Sequence, residues 1–335
     1  MAEPQVATAA PESDAQEIQS PAAPGPASTS TPAAPTLSDH CTTDRPTPAG
    51  LASTGEITKL GEVDVYISKP AGYPHTPARL LLLLTNGSGH KSINNQIQAD
   101  RFATEGYVVV MPDLFDDDPA PNANMMSSEP TTPGGLLETF KIKAAETAKS
   151  FLIDMWLARH TSEKVMPILT KVIDACRDEF ADAVSNGGGI YAVGYCFGGR
   201  YILLLASERP AVAPGGGFPW SPVVKPVDEE AGKAPKIGPL IKAGAIAHAT
   251  LVSRDDFIGL KSPVSVVSVE HDPMFPDDVR TAAEDYMSKN NVEHEVQVYP
   301  GVPHGFAVVG EYDNDNIKQA QVTAFEQMLK WIKEH

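Results

Sequence analysis

Positive charge is scarce in this chain. Its 335 residues carry 26 lysines and arginines against 43 aspartates and glutamates, a net charge of −17. That surplus repels phosphate backbones and anionic bilayers, which excludes nucleic acid and membrane surfaces as partners and leaves a small molecule as the expected ligand. Cysteine is scarce too. The three cysteines, at positions 41, 176 and 196, form no disulfide framework, so a reducing compartment, the cytoplasm, is expected. No apolar run approaches the roughly 20 residues that a spanning helix needs. The opening Met1-Ala2-Glu3-Pro4-Gln5 lacks the basic and apolar segments of a secretory leader, and none is expected. Spacings of His, Cys, Asp and Glu that would encode a coordination sphere are missing. His271 beside Asp272 and the run Asp116-Asp117-Asp118 are expected to be solvated loop, with no metal and no cofactor. There is no internal repeat.

What remains is a tail and a body. Residues 1–50 are dominated by Pro, Ala, Ser, Thr and acidic side chains, so burial cannot offset the entropy of ordering them, and a disordered tail is expected there. Residues 51–335, in a chain with 42% hydrophobic residues, can form one large core. Strand patterns at Glu62 to Lys69, Arg79 to Thr85, 107 to 111, 243 to 248, 264 to 270 and 293 to 299 alternate with helical ones. This rhythm predicts a single α/β domain with a mostly parallel central sheet flanked by helices. A long helical stretch is predicted between Gly135 and Val184, its stripe of Val165, Leu169, Val172, Ile173, Cys176 and Phe180 facing the core. Cys176 is thereby a packing residue, and Cys41 an exposed thiol of the tail.

The chemistry is concentrated in Gly194-Tyr195-Cys196-Phe197-Gly198-Gly199. Between an apolar strand pattern and an apolar helix pattern, this is a nucleophile elbow with a thiol in place of the usual serine hydroxyl. The small residues at 194 and 198 let strand and helix approach, lifting the Cys196 sulfur clear of the sheet. Asp272 and His304 follow in the chain order that marks α/β-hydrolases, each in a loop after a predicted strand, at the carboxyl edge where open α/β sheets place their sites. Glu270 and Asp277 compete with Asp272 for the acid, and His271 and His248 with His304 for the base. Glu270 still lies within the strand pattern and Asp277 fits a helix start, which favours Asp272. The oxyanion would be held by the Phe197 N–H and a second N–H from Asn86, Gly87 or Ser88, in the loop after the buried strand.

These motifs carry a resemblance. The elbow, Asp272-Pro273-Met274-Phe275-Pro276, His304-Gly305-Phe306-Ala307, Asn94-Asn95-Gln96 through Gly106-Tyr107, and Val108 through Phe115 resemble the dienelactone hydrolase family, above all its fungal branch, from about residue 55 to the C terminus. The resemblance implies an α/β-hydrolase fold and a cysteine hydrolase of esters, lactones or thioesters, with Cys196, Asp272 and His304 as triad. Two departures bear on the substrate. Bacterial members place a carboxylate in the loop that here reads Thr85-Asn86-Gly87-Ser88-Gly89, and an arginine shortly after the histidine, where this chain has Val308 and Val309. A neutral ester, lactone or thioester is therefore expected.

The segment Pro112 to Gly134 leaves the carboxyl edge, so Phe115, Met125 and Met126 are candidate pocket residues, with His248 and Phe306. Ala249 to Lys261 shares that edge, whereas Ala211 to Lys242 reads as a surface insertion. The protein is expected to be a monomer or homodimer. A biosynthetic acyl-transfer enzyme, or a catalytically silent binding protein on the same fold, remain the alternatives.

Overall fold

In the computed structural model the described residues are 43–121, 151–210 and 236–335, with no side-chain description for 210 and 236. The tail up to residue 42, Cys41, Met125 and Met126, the first part of the expected long helix and most of the 211–242 insertion lie outside them.

Five consecutive leucines explain the centre of the molecule. In β3 (Arg79–Leu84) Leu80, Leu82 and Leu84 point to one side and Leu81 and Leu83 to the other, and all five are fully buried. A strand greasy on both faces demands a layer on each, which only helices or further chain can supply. β4 (Tyr107–Pro112) and β5 (Ile190–Tyr195) flank it in parallel and are buried along their whole length. β8 (Ala243–Ala247), β9 (Val264–Val269) and β10 (His294–Tyr299) continue the parallel array. On the other flank β2 (Val63–Ser68) pairs antiparallel with β4, and β1 (Glu56–Leu60) antiparallel with β2. The eight-stranded order is β1-β2-β4-β3-β5-β8-β9-β10. β1 is the one main-sheet strand with no counterpart in the sequence patterns: its edge position leaves Glu56 through Lys59 exposed, so no apolar signature is needed.

One face carries α1 (Ile93–Thr104) and α7 (Asp315–Glu334), with Phe102, Phe325, Met328 and Ile332 in its core. The other carries α3 (Ser162–Glu179), α4 (Ala181–Gly187) and α5 (Phe197–Leu205), while α6 (Asp277–Lys289) packs between β9 and β10 in sequence. The expected helical stretch is divided: α2, whose described part spans residues 151–159, ends before His160, α3 starts after Thr161, where Thr161-Ser162-Glu163 reads as a cap, and α4 follows after Phe180. The apolar stripe is nonetheless buried as its spacing demands, and burial pushes the Cys176 thiol up to about 12, out of reach of ordinary thiol chemistry. The flanks of the insertion, β6 (Arg209–Pro210) and β7 (Lys236–Ile237), form a two-stranded ribbon of their own.

The compositional boundary at residue 50 needs correction. Residues 45–47 are bound to the body: Asn94 Nδ2 donates to the Arg45 carbonyl (2.7 Å), Thr47 Oγ1 to Asn94 Oδ1 (2.9 Å), and the Glu311 N–H to the Pro46 carbonyl (2.8 Å). The Arg45 guanidinium lies 4.5 Å from the Tyr312 ring centre. Backbone hydrogen bonds and a cation–π contact need no large apolar side chain, so composition alone misses such a strap.

Candidate active site

Cys196 stands between the last residue of β5 and the first of α5 with φ 49° and ψ −114°. A non-glycine residue there stores about 1–3 kcal/mol and persists only where its surroundings fix it. Here four hydrogen bonds do so. Cys196 N–H donates to Ala247 O (3.1 Å), Gly198 N–H to Thr85 O (2.9 Å), and the Cys196 carbonyl accepts from Gly199 N–H (3.1 Å) and Thr250 N–H (3.0 Å). The elbow glycines are required by contact. A Cβ on Gly198 would sit 2.3 Å from the Leu84 carbonyl oxygen, and one on Gly194 2.6 Å from Ile202. Because the first obstacle is backbone, Gly198→Ala is expected to destabilise the fold by about 1–3 kcal/mol and to displace the elbow, which thermal denaturation and ester turnover would register together.

The loops after β9 and β10 bring the acid and base candidates to this point. His304 Nδ1 is 2.6 Å from Asp272 Oδ2, and both side chains are nearly inaccessible. Asp272 Oδ1 accepts the Met274 N–H at 2.9 Å, which fixes the carboxylate plane. Thr250, from the loop after β8, links base to nucleophile: its Oγ1 lies 3.1 Å from His304 Nε2 and donates to Cys196 Sγ at 3.1 Å. The competing acids and one competing base point elsewhere. Glu270 is exposed, and Asp277 is paired with the exposed His271 at 2.7 Å. His248 follows β8 at φ 37°, its buried ring 5.1 Å from that of His304 and 6.0 Å from that of Phe306. Phe306 itself is buried in the core on the α1 and α7 face.

The loop after β3 is ordered around Asn86. Its Oδ1 accepts the Ser88 N–H (3.2 Å) and Asn95 Nδ2 (2.8 Å), while the Gly87 carbonyl accepts the Ala120 N–H (2.9 Å). Phe197 opens α5, so its N–H is one that a helix leaves without an intrahelical partner. Behind it, Phe115 packs with ring centres 5.2 Å from Phe197, 5.0 Å from Trp156 and 5.4 Å from His160. Asp113 holds that loop by accepting the Phe115 N–H (3.0 Å) and the Asp117 N–H (2.6 Å). Burial opposes ionisation of Asp113, but hydrogen bonds from His90 and these two amides outweigh it and keep the carboxyl below its ordinary value. The acidic run beside it is partly neutralised at the surface, Asp117 by Lys91 and Asp118 by Arg159.

A cleft of about 370 Å³ opens beside this constellation, lined by Leu157, His160, Phe197, Arg200, Tyr201, Thr250 and Leu251, with Thr161, Ser162 and Glu163 at its margin. Arg200 brings a cation, which donates through Nε to the buried Asp256 carboxylate at 3.0 Å. Sequence reasoning missed Thr250, although it had placed its loop at this edge, and missed the wall from α2 and α3, because no pattern within a helix shows where along the sheet it docks. Among the described residues no group of three His, Cys, Asp or Glu side chains is placed to hold a metal ion, and no helix is long and apolar enough to cross a membrane.

Comparison with known proteins places the chain in a family. The sequence profile of the dienelactone hydrolase family matches residues 63–335. The hydrolase pyvD of Aspergillus violaceofuscus is 26% identical over 84% of this chain and 90% of its own, and dienlactone hydrolase 1 of Gibberella moniliformis is 23% identical over 83% and 87%. Among solved structures, a Klebsiella pneumoniae protein assigned to the dienelactone hydrolases superposes with a TM-score of 0.57 at 17% identity, covering 85% of this chain and all of that one. A propionate-bound esterase of Thermogutta terrifontis gives 0.52 at 16% identity, covering 84% and 96%. At these identities the two structures establish the fold alone.

Proposed function

This chain belongs to the dienelactone hydrolase family and is an ester-bond hydrolase of the α/β-hydrolase fold, and we propose that it works through Cys196 as nucleophile, His304 as base and Asp272 as the carboxylate that orients His304. The observation that carries the reading is the unbroken chain of contacts from Asp272 through His304 and Thr250 to a cysteine held at a strained elbow. His304 receives the thiol proton, and Asp272 fixes its tautomer and stabilises the imidazolium. The sulfur anion, at the positive end of α5, adds to the acyl carbon. The oxyanion is met by the Phe197 N–H and an N–H from Asn86 or Gly87, each such donor being worth about 10²- to 10³-fold in rate. The alcohol departs with the proton from His304, and His304 then activates water to hydrolyse the acyl-enzyme. Intact-protein and peptide mass spectrometry after rapid mixing with an aryl ester tests this: the acyl mass is expected on the Cys196 peptide, and its appearance on another residue or nowhere rejects the reading.

The cleft walls favour an uncharged substrate. Leu157, Phe197, Tyr201 and Leu251 are apolar or aromatic, Arg200 is engaged by Asp256, and the turn after His304 continues into buried Val308 and Val309. Among the described lining residues the one guanidinium, Arg200, already shares its charge with Asp256 through Nε. A neutral aryl ester is expected to be hydrolysed faster than such an anion by about tenfold or more, the effect of one missing charge-assisted hydrogen bond of about 1.5 kcal/mol. Comparing kcat/KM for the two substrates decides it, and faster turnover of the anion overturns the substrate class.

A further inference from the structure

The proton path between base and nucleophile passes a hydroxyl that the mechanism above leaves without a role. Thr250 is buried, and its Oγ1 stands 3.1 Å from both Cys196 Sγ and His304 Nε2. A hydroxyl has one proton to give and two lone pairs to receive with, so it can serve both neighbours at once in a directed chain. Its position is set by structure on two sides. The Thr250 N–H donates to the Cys196 carbonyl (3.0 Å), and the next N–H, of Leu251, to the Met274 carbonyl (3.1 Å) in the Asp272 loop. Leu251 itself has φ 57° and His248, two residues before Thr250, φ 37°, so this short turn holds two non-glycine residues in the left-handed region. Such strain persists where the surroundings over-determine it, and it gathers at functional sites. The β-branch of threonine then restricts χ1 and keeps the hydroxyl aimed.

We propose that Thr250 is the proton relay between Cys196 and His304, an inference that rests on the cysteine-hydrolase reading. A hydroxyl proton can turn to either neighbour: in the donation to Sγ described above it faces the sulfur, and before transfer the thiol instead donates to Oγ1 and Oγ1–H to Nε2, while Nδ1–H is held by Asp272. Moving both protons one place breaks S–H and the original Oγ1–H and forms a new Oγ1–H and Nε2–H. The products are a thiolate, an unchanged threonine and an imidazolium, with net charge conserved. In the product state Oγ1–H donates to the sulfur anion, so the same hydroxyl that carries the proton away stabilises the charge left behind. Among the described residues, the other titratable groups around this chain are His248 just after β8, Tyr195 at the end of β5, Asp272, and His160 and Glu163 in the cleft wall. Arg200 lies one turn along α5 from the nucleophile and shares the cleft wall with Thr250.

The test pairs Thr250→Val, which keeps the shape and removes the hydroxyl, with Thr250→Ser, which keeps the hydroxyl. Two readouts are taken: alkylation of Cys196 by iodoacetamide as a function of pH, followed on its peptide without substrate, and the pH profile of kcat/KM for an aryl ester. In Thr250→Val, kcat/KM is expected to fall about 10²-fold, the order that positioned proton transfer contributes. The acid limb of both profiles is expected to move to higher pH by about one unit, as a thiolate that has lost a charge-assisted hydrogen bond requires. Thr250→Ser is expected to stay close to wild type in both. Wild-type profiles in Thr250→Val, or a loss in Thr250→Ser equal to that in Thr250→Val, would overturn the relay. Should valine prevent folding, Thr250→Ala is held to the same two readouts. Retained turnover in Cys196→Ala would overturn the nucleophile, and the relay with it, so the two failures are told apart by which variant stays active.

Discussion

Cys196→Ala is expected to lower kcat for ester hydrolysis by about 10⁴-fold or more, while the variant melts and scatters as the wild type does. The kinetic half follows from what the sulfur does. With no atom to form the acyl-enzyme, His304 and Asp272 have nothing to activate, and knocking out a nucleophile in a comparable triad leaves only the acceleration of the oxyanion donors and substrate binding, about 10³- to 10⁴-fold over water. The structural half follows from how position 196 is held. Its backbone is held by its N–H to Ala247 and by its carbonyl from Gly199 and Thr250. Alanine keeps each of these, and because both residues carry a Cβ, the positive φ strains them alike. The space left by one sulfur is small and lies beside the Thr250 hydroxyl, where water can take its place. Steady-state turnover of an aryl ester, read beside circular dichroism and a melting curve, separates the two halves. A well-folded alanine variant with turnover within tenfold of wild type (a difference of about 1.4 kcal/mol) would remove Cys196 from the chemistry.

Much of this architecture is legible in the residues because it is encoded locally. The run Leu80 to Leu84 is typical of a strand covered on both faces, and Gly198 and Gly199 mark a turn where Leu84 and Ala249 come too close for a side chain. The order of Cys196, Asp272 and His304 places them at one sheet edge before any coordinate is known, and the contacts from Asp272 through His304 toward Cys196 run along that edge. What the residues hide is relational. Nothing within α2 or α3 tells that Leu157 and His160 meet Phe197 and Tyr201 across a cleft, because a helix pattern records which face is buried and not what it is buried against. Thr250 looks like any polar residue after a strand until two loops distant in sequence bring Cys196 and His304 to either side of it. Arg45 and Thr47 sit in a composition that reads as disordered, yet their attachment runs through backbone carbonyls and Asn94, which composition does not weigh. Phe306 and His248 were expected to line the pocket. The structure seats Phe306 in the core of the opposite layer and His248 between the Tyr195, His304 and Phe306 rings, away from the wall formed by α2, α3 and α5. Phe306 lies in a turn well beyond the end of β10, and His248 just beyond β8 at φ 37°, so strand alternation fixes the direction of neither side chain.

Asp272→Asn is expected to reduce kcat by about 10⁴-fold through a change of tautomer, with little change in shape. The two carboxylate oxygens have different duties. Oδ1 accepts the Met274 N–H at 2.9 Å, and Oδ2 faces His304 Nδ1 at 2.6 Å, in a site that excludes water from both. An amide must put its NH₂ on one of these sides. Placed toward Met274 it would set donor against donor, a buried clash that costs about 1–3 kcal/mol in unmet hydrogen bonds. It therefore turns toward His304, donates to Nδ1, and obliges that nitrogen to accept. The imidazole proton then resides on Nε2, the atom that must be empty to take the proton from the thiol through Thr250. The same substitution removes the anion that stabilises the imidazolium, so the ion pair is disfavoured twice over. Nitrogen-15 chemical shifts of the His304 ring are expected to report protonation at Nε2 in the variant and at Nδ1 in the neutral wild type. A variant that carries the proton on Nδ1, or that retains turnover within about tenfold, would mean that Asp272 neither sets the tautomer nor supports the charge, leaving its contact with His304 a matter of packing.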